Sequence, residues 1–113
     1  MRLTIRLQGI EPSAPLRQYA QRRTYAALSK FGSQVTKVDV RFADVNGPKG
    51  GIDSRCDVHV HGPRIGKLTV RELTTDGYVA VTLGMARMAR LIGRRLDRLG
   101  NYRPRIPRSS IGL

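Results

Sequence analysis

Four arginines, Arg87, Arg90, Arg94 and Arg98, recur at intervals of three, four and four residues, which places them along one face of a helix. A guanidinium is always charged and presents its donors in a planar fork, so such a stripe suits phosphate oxygens. Like charges at this spacing repel, by about 0.2–0.5 kcal/mol per pair. Only Asp97 stands close in sequence to relieve them, whereas a merely solvated face would interleave glutamates. The stripe reads as a surface kept for an anionic partner. Arg22, Arg23 and Lys30 hold the polar positions of an earlier helical segment and extend the candidate set. With both helices on one side of a sheet, their outer faces would form one basic ridge. Such a ridge follows phosphates and shape, because phosphate contacts carry no sequence information.

The remaining reactive groups point to no chemistry of their own. His59 and His61 share one face of a strand pattern, but Cys56 has the opposite parity and points inward, so no third soft ligand joins them. Neither a metal site nor any cofactor is expected, and Cys56 reads as a small core residue. The segment Asn46-Gly47-Pro48-Lys49-Gly50-Gly51 has glycines and a lysine, yet it lacks the Gly-x-x-x-x-Gly-Lys-Ser/Thr order and no helix follows it. By composition it is expected to be a loop; a flexible finger touching phosphate through Lys49 is the minority reading. Carboxylates are not paired at a useful spacing, so an enzyme acting on a small-molecule substrate is not expected. Tyr19 and Phe31 are wanted for the core, which leaves too few aromatics for a base-stacking platform.

Composition sharpens this reading. In 113 residues and 12.6 kDa, 21 basic side chains face 8 acidic ones, for a net charge of +13 and a pI near 11.4. Of the basic residues only Lys30, Lys37, Lys49 and Lys67 are lysines, and that arginine bias favours nucleic acid over a general need for solubility. A hydrophobic share of 40% with aliphatics throughout argues against a disordered polycation. The longest charge-free stretch, Gly77 to Ala86, is far too short for a membrane span. The first residues alternate Arg2, Thr4, Arg6 with Leu3, Ile5, Leu7, a strand pattern and not a signal peptide. A single cysteine excludes an intrachain disulfide. The expectation is a soluble, cytoplasmic protein with no membrane partner.

These side chains need a scaffold, and the hydrophobic pattern supplies one. Strands are expected over 2–8, 35–43, 54–61 and 67–73, with Leu3, Ile5, Leu7, Val38, Val40, Phe42, Cys56, Val58, Val60, Leu68 and Val70 inward. A first helix is expected over 14–31, N-capped by Ser13 and closed by Gly32, with Leu16, Tyr19, Ala20, Ala27, Leu28 and Phe31 at helical spacing. A second, entered through Thr74-Thr75-Asp76, is expected from 77 to 99. Its buried stripe is Val81, Met85, Met88, Ile92, Leu96 and Leu99, turned roughly 150° from the arginines at about 100° per residue. The order β-α-β-β-β-α predicts a single α+β domain over 1–100, a four-stranded sheet with two helices on one face. Residues 101–113, broken by Pro104 and Pro107, are expected to be a basic flexible tail.

Placed on these elements, the sequence resembles the ribosome hibernation-promoting factors, the short-form ribosome-associated inhibitors. The similar passages are the strand Leu3–Leu7, "EPSAPLRQYAQRR" at 11–23 with its Leu-Arg-x-Tyr-Ala run, and "VTKVDVRF" at 35–42. The junction "TTDGYVAV" at 74–81 follows the Asp-x-Tyr-x-Ala start of that family's second helix through Asp76, Tyr78 and Ala80. The resemblance covers roughly 1–99 and implies a fold related to double-stranded-RNA-binding domains. It also implies binding to ribosomal RNA of the small subunit, in the channel of messenger and transfer RNAs, so that translation is silenced under stress without chemistry. By position it assigns RNA binding to Arg22, Arg23, Arg87, Arg90 and Arg94, with Lys30 and Arg98 beside them. The dimerising C-terminal domain of long-form members is not matched, so ribosome pairing through it is not expected. The alternative is a general RNA- or DNA-binding module on the same scaffold.

Overall fold

The alternation of Leu3, Ile5 and Leu7 with polar residues does make an edge strand, β1 (Arg2–Gln8), in the computed structural model, which describes residues 1–8, 14–44 and 54–100. Helix α1 (Ala14–Leu28) carries the chain across to β2 (Lys37–Asp44), which lies parallel to β1, as a crossover connection allows. Strands β3 (Ser54–Gly62) and β4 (Gly66–Thr74) continue antiparallel, and α2 (Gly77–Leu99) ends the described chain. The sheet order is β1-β2-β3-β4, and both helices pack on one face of it.

Parity decides the core. Val38, Val40 and Phe42 of β2, Cys56, Val58 and Val60 of β3, and Leu68 and Val70 of β4 are all buried beneath the helices. Leu3, Ile5 and Leu7 are only half-buried, since α1 covers β1 far less closely than α2 covers the other edge strand, β4. From α2 come Val81, Met85, Met88, Ile92 and Leu96, each wholly excluded from solvent. Burying such side chains contributes about 1.5–3 kcal/mol each, which outweighs the cost of stacking arginines on the opposite face. Leu99, expected to continue the stripe, is 42% exposed.

Capping follows the sequence signals at α2. The Asp76 carboxylate accepts from the Tyr78 amide at 2.8 Å, and Gly100 closes the helix in the left-handed region at φ 79°. Helix α1 departs from expectation. Its α-helical part stops at Leu28, and Ser29–Gln34 tightens into a 3-10 segment in which Gly32 adopts φ 56°, ψ −131°. That turn buries Phe31, and Val35 and Thr36 then donate to Gly32 O and His61 O before β2 begins. A second feature escaped the hydrophobic pattern: Thr24 is fully buried, its hydroxyl donating to Ala20 O at 2.7 Å. The expected Ser13 cap, the 46–51 loop and the tail from 101 lie outside the described residues.

Candidate nucleic-acid interface

Arg87, Arg90 and Arg94 come together along the flank of α2 that overlies β4. With Val70 and Leu91 they line a shallow cleft of about 100 Å³. The apolar floor and cationic rim follow from the helical period, which sets Leu91 between the arginines and the sheet. Arg87 is anchored: it forms an ion pair with Glu72 of β4 and donates to Arg71 O at 3.2 Å. Glu72 is thus a relief for the stripe that the sequence did not reveal, since the two residues meet only when α2 lies on β4. Arg90 and Arg94 are exposed and form no ion pair with any described residue, so both guanidiniums keep their donors for a partner.

The other sequence candidates lie elsewhere. Arg98 is exposed in the last turn of α2, where a cation also complements the helix dipole. On α1, Arg22 is exposed, whereas Arg23 is half-buried with its Nε shielded and without a partner among the described residues. Lys30 sits in the 3-10 segment with its ammonium 5.4 Å from the Phe31 ring centre. None of these four lines the arginine cleft. The side of α2 that meets α1 is instead closed by Tyr19, whose hydroxyl is 2.6 Å from Thr82 Oγ1 and whose ring stands edge-on to Tyr78 at 5.1 Å. Tyr19 joins the helices as expected of a core aromatic. Arg95, next to Arg94 in sequence, turns inward and donates to Ile65 O at 2.9 Å, pinning α2 to the turn before β4. Its position between the two stripes was the only signal for that role.

No described element covers the far side of the sheet. There Asp57, although its parity points outward, is buried because Arg71 grips it at 2.8 Å and Arg55 approaches to 3.4 Å. The carboxylate raises the Arg71 pKa above its ordinary value, first through the hydrogen bond and then through charge. His59 and His61 lie on this open face and Cys56 on the helix face, the separation that the strand parity implied. No set of three metal-ligating side chains assembles among the described residues. No helix among them is long and apolar enough to cross a membrane.

Burial, with Asp57 and Glu72 nearby, pushes the Cys56 thiol from 9.0 up to about 12. At pH 8 the folded protein should therefore resist alkylation by iodoacetamide, and label at the rate of an ordinary thiol only once unfolded. The sign for stability follows. The unfolded chain releases this proton from about pH 9 and the folded chain only near 12, so stability is intact below 9 and is lost as pH rises toward 12. Rapid labelling of native protein at pH 8 would contradict the buried position.

A four-stranded mixed sheet carrying two helices on one face defines a known class of domain. It is the fold of a ribosomal subunit interface protein from Coxiella burnetii, with a TM-score of 0.72 at 16% identity over 86% of this chain and 99% of that one. The N-terminal domain of Thermus thermophilus Protein Y is similar at a TM-score of 0.68, with 17% identity over 83% of this chain and 98% of that one. The chain itself belongs to the sigma-54 modulation protein / S30EA ribosomal protein family, whose pattern it matches across residues 3–100. The resemblance carried by residues 11–23, 35–42 and 74–81 holds over nearly the whole described chain. Among curated proteins, none matches its sequence.

Proposed function

We propose that this chain is a ribosome-associated hibernation factor that occupies the messenger- and transfer-RNA channel of the small subunit and silences translation by blocking it. The observation that carries this reading is the family match along residues 3–100, a family of ribosome-associated proteins not known for an enzymatic activity. The solved structures that share its fold include one described as a ribosomal subunit interface protein. The contact with ribosomal RNA is assigned to Arg87, Arg90 and Arg94 around their cleft, with Arg98, Arg22, Arg23 and Lys30 as flanking cations. The chemistry supports this assignment: exposed guanidiniums over an apolar floor grip phosphates without reading bases, as an rRNA shape demands. Inhibition is then occupancy alone, with no bond made or broken.

Co-sedimentation with purified small subunits, run beside binding to a free RNA duplex, tests the proposal. The protein should pellet with small subunits at salt concentrations that strip it from the duplex, and should inhibit translation in vitro in proportion to occupancy. Equal salt sensitivity toward both partners would instead favour a general RNA-binding module.

A further inference from the structure

We infer that the open face of the sheet is a second RNA-backbone surface, centred on a row of residues that runs across all four strands. The register sets Arg2 opposite Lys37, Lys37 opposite His61, and His61 opposite Lys67. Strand alternation turns these four away from Leu3, Val38, Val60 and Leu68, and therefore away from the helices. Adjacent strands lie about 4.8 Å apart, so the row is about 14 Å long. It contains no carboxylate. Arg2 and Lys37 are like charges set directly opposite on neighbouring strands, an arrangement that destabilises a sheet and is costly unless a ligand answers it.

The described acids of this face hold arginines of the same face, and only Asp39 Oδ1 is left buried without a hydrogen-bond partner. Asp39 takes Arg41 at 3.1 Å, and Asp57 takes Arg71 and Arg55. His59 shares a 3.1 Å hydrogen bond with Thr69. Arg2, Lys37 and Lys67 form no ion pair with any described residue. A hollow of about 230 Å³ lies along Lys37, Asp39, Arg41, His59, His61 and Lys67, where three cations face one carboxylate, and another, bordered by Arg2, Lys37 and His61, adjoins it. A ligand that answers this row must bring several negative charges spaced along an extended line. A phosphodiester backbone does so, and among the described residues the face offers no aromatic rings apart from its histidines to read bases. The molecule would then hold RNA on both sides, the α2 cleft on one and the cross-strand row on the other. This inference rests on the RNA-binding reading above but not on which arginines of α2 serve it.

The test uses the whole chain, a fluorescein-labelled RNA duplex, and the same duplex biotinylated on beads. The variant R2Q/K37Q/K67Q should fold, since it removes only exposed charges that repel one another; a thermal melt no lower than wild type verifies this. The slope of log affinity against log salt should flatten by about 2–3, because each lost phosphate contact is worth about 0.7–0.9. The single variant K67Q should flatten it by about 0.7–0.9 on the same rule. Wild-type protein should retain labelled duplex on the duplex-coated beads, and both R2Q/K37Q/K67Q and R90Q/R94Q should lose that bridging. A folded row variant with an unchanged slope and intact bridging overturns the second surface while leaving the first in place. A wild-type protein that binds neither duplex nor small subunits overturns the RNA-binding reading itself.

Discussion

Replacing Gly62 by alanine should cost the domain at least about 3 kcal/mol, the upper end of what overpacking usually costs. A Cβ added there would stand 1.9 Å from Gln34 O and 3.0 Å from Ile65 Cγ1. The first of those atoms is backbone, so no change of rotamer relieves the clash. Nor can the backbone move away cheaply. Thr36 donates both its amide and its hydroxyl to His61 O, and Gly62 pairs with Gly66 at the start of β4. For a domain of this size the loss corresponds to more than about 10 °C in melting temperature. Gly93 is the control. Nothing lies within 4 Å of a Cβ built at that position in α2, so Gly93→Ala should stabilise the protein by about 0.5–1 kcal/mol. Thermal unfolding of the two variants measures both effects. A Gly62→Ala protein that melts with wild type would show that the 3-10 segment does not lie on the end of β3 as described.

Much of this scaffold was legible in the residues alone, for identifiable reasons. The β2 and β3 alternations carry apolar residues without a break on one parity, Val38, Val40 and Phe42, then Cys56, Val58 and Val60, so their faces admitted one assignment. The bounds of α2 were legible because Asp76 and Gly100 are strong local stops. The end of α1 was not, because whether Ser29–Gln34 continues as α or tightens to 3-10 depends on where Phe31 finds its pocket. The arginine stripe was visible as a period, but its flank was not. Only the packing of α2 on β4 shows that Glu72 holds Arg87 and that Leu91 and Val70 floor the cleft. It also separates the α1 cations from that cleft, where a single ridge had been expected from both helices. The cross-strand row was invisible for a deeper reason. Arg2, Lys37, His61 and Lys67 are scattered in sequence and become neighbours only through register, which local patterning does not specify.

The second large effect concerns the arginines of α2. Changing Arg87, Arg90 and Arg94 together to glutamine should leave the fold nearly intact, because the buried stripe from Val81 to Leu96 is untouched. Binding should weaken in a way that depends on salt, since each cation that neutralises a phosphate releases counterions. The three positions are not equivalent. Arg90 and Arg94 form no ion pair with a described residue, and each should contribute about 0.7–0.9 to the salt slope. Arg87 shares its charge with Glu72 and should contribute less. Translation inhibition should fall in step with occupancy.

The most direct measurement is therefore co-sedimentation of R90Q/R94Q and of the triple variant with purified small subunits across a salt series. The slope of log affinity against log salt should flatten by about 1.4–1.8 in the double variant and further in the triple, but by less than the roughly 2.1–2.7 of three full contacts. A folded triple variant that still binds small subunits with the wild-type slope would contradict the account and leave the α2 stripe as a solvated face.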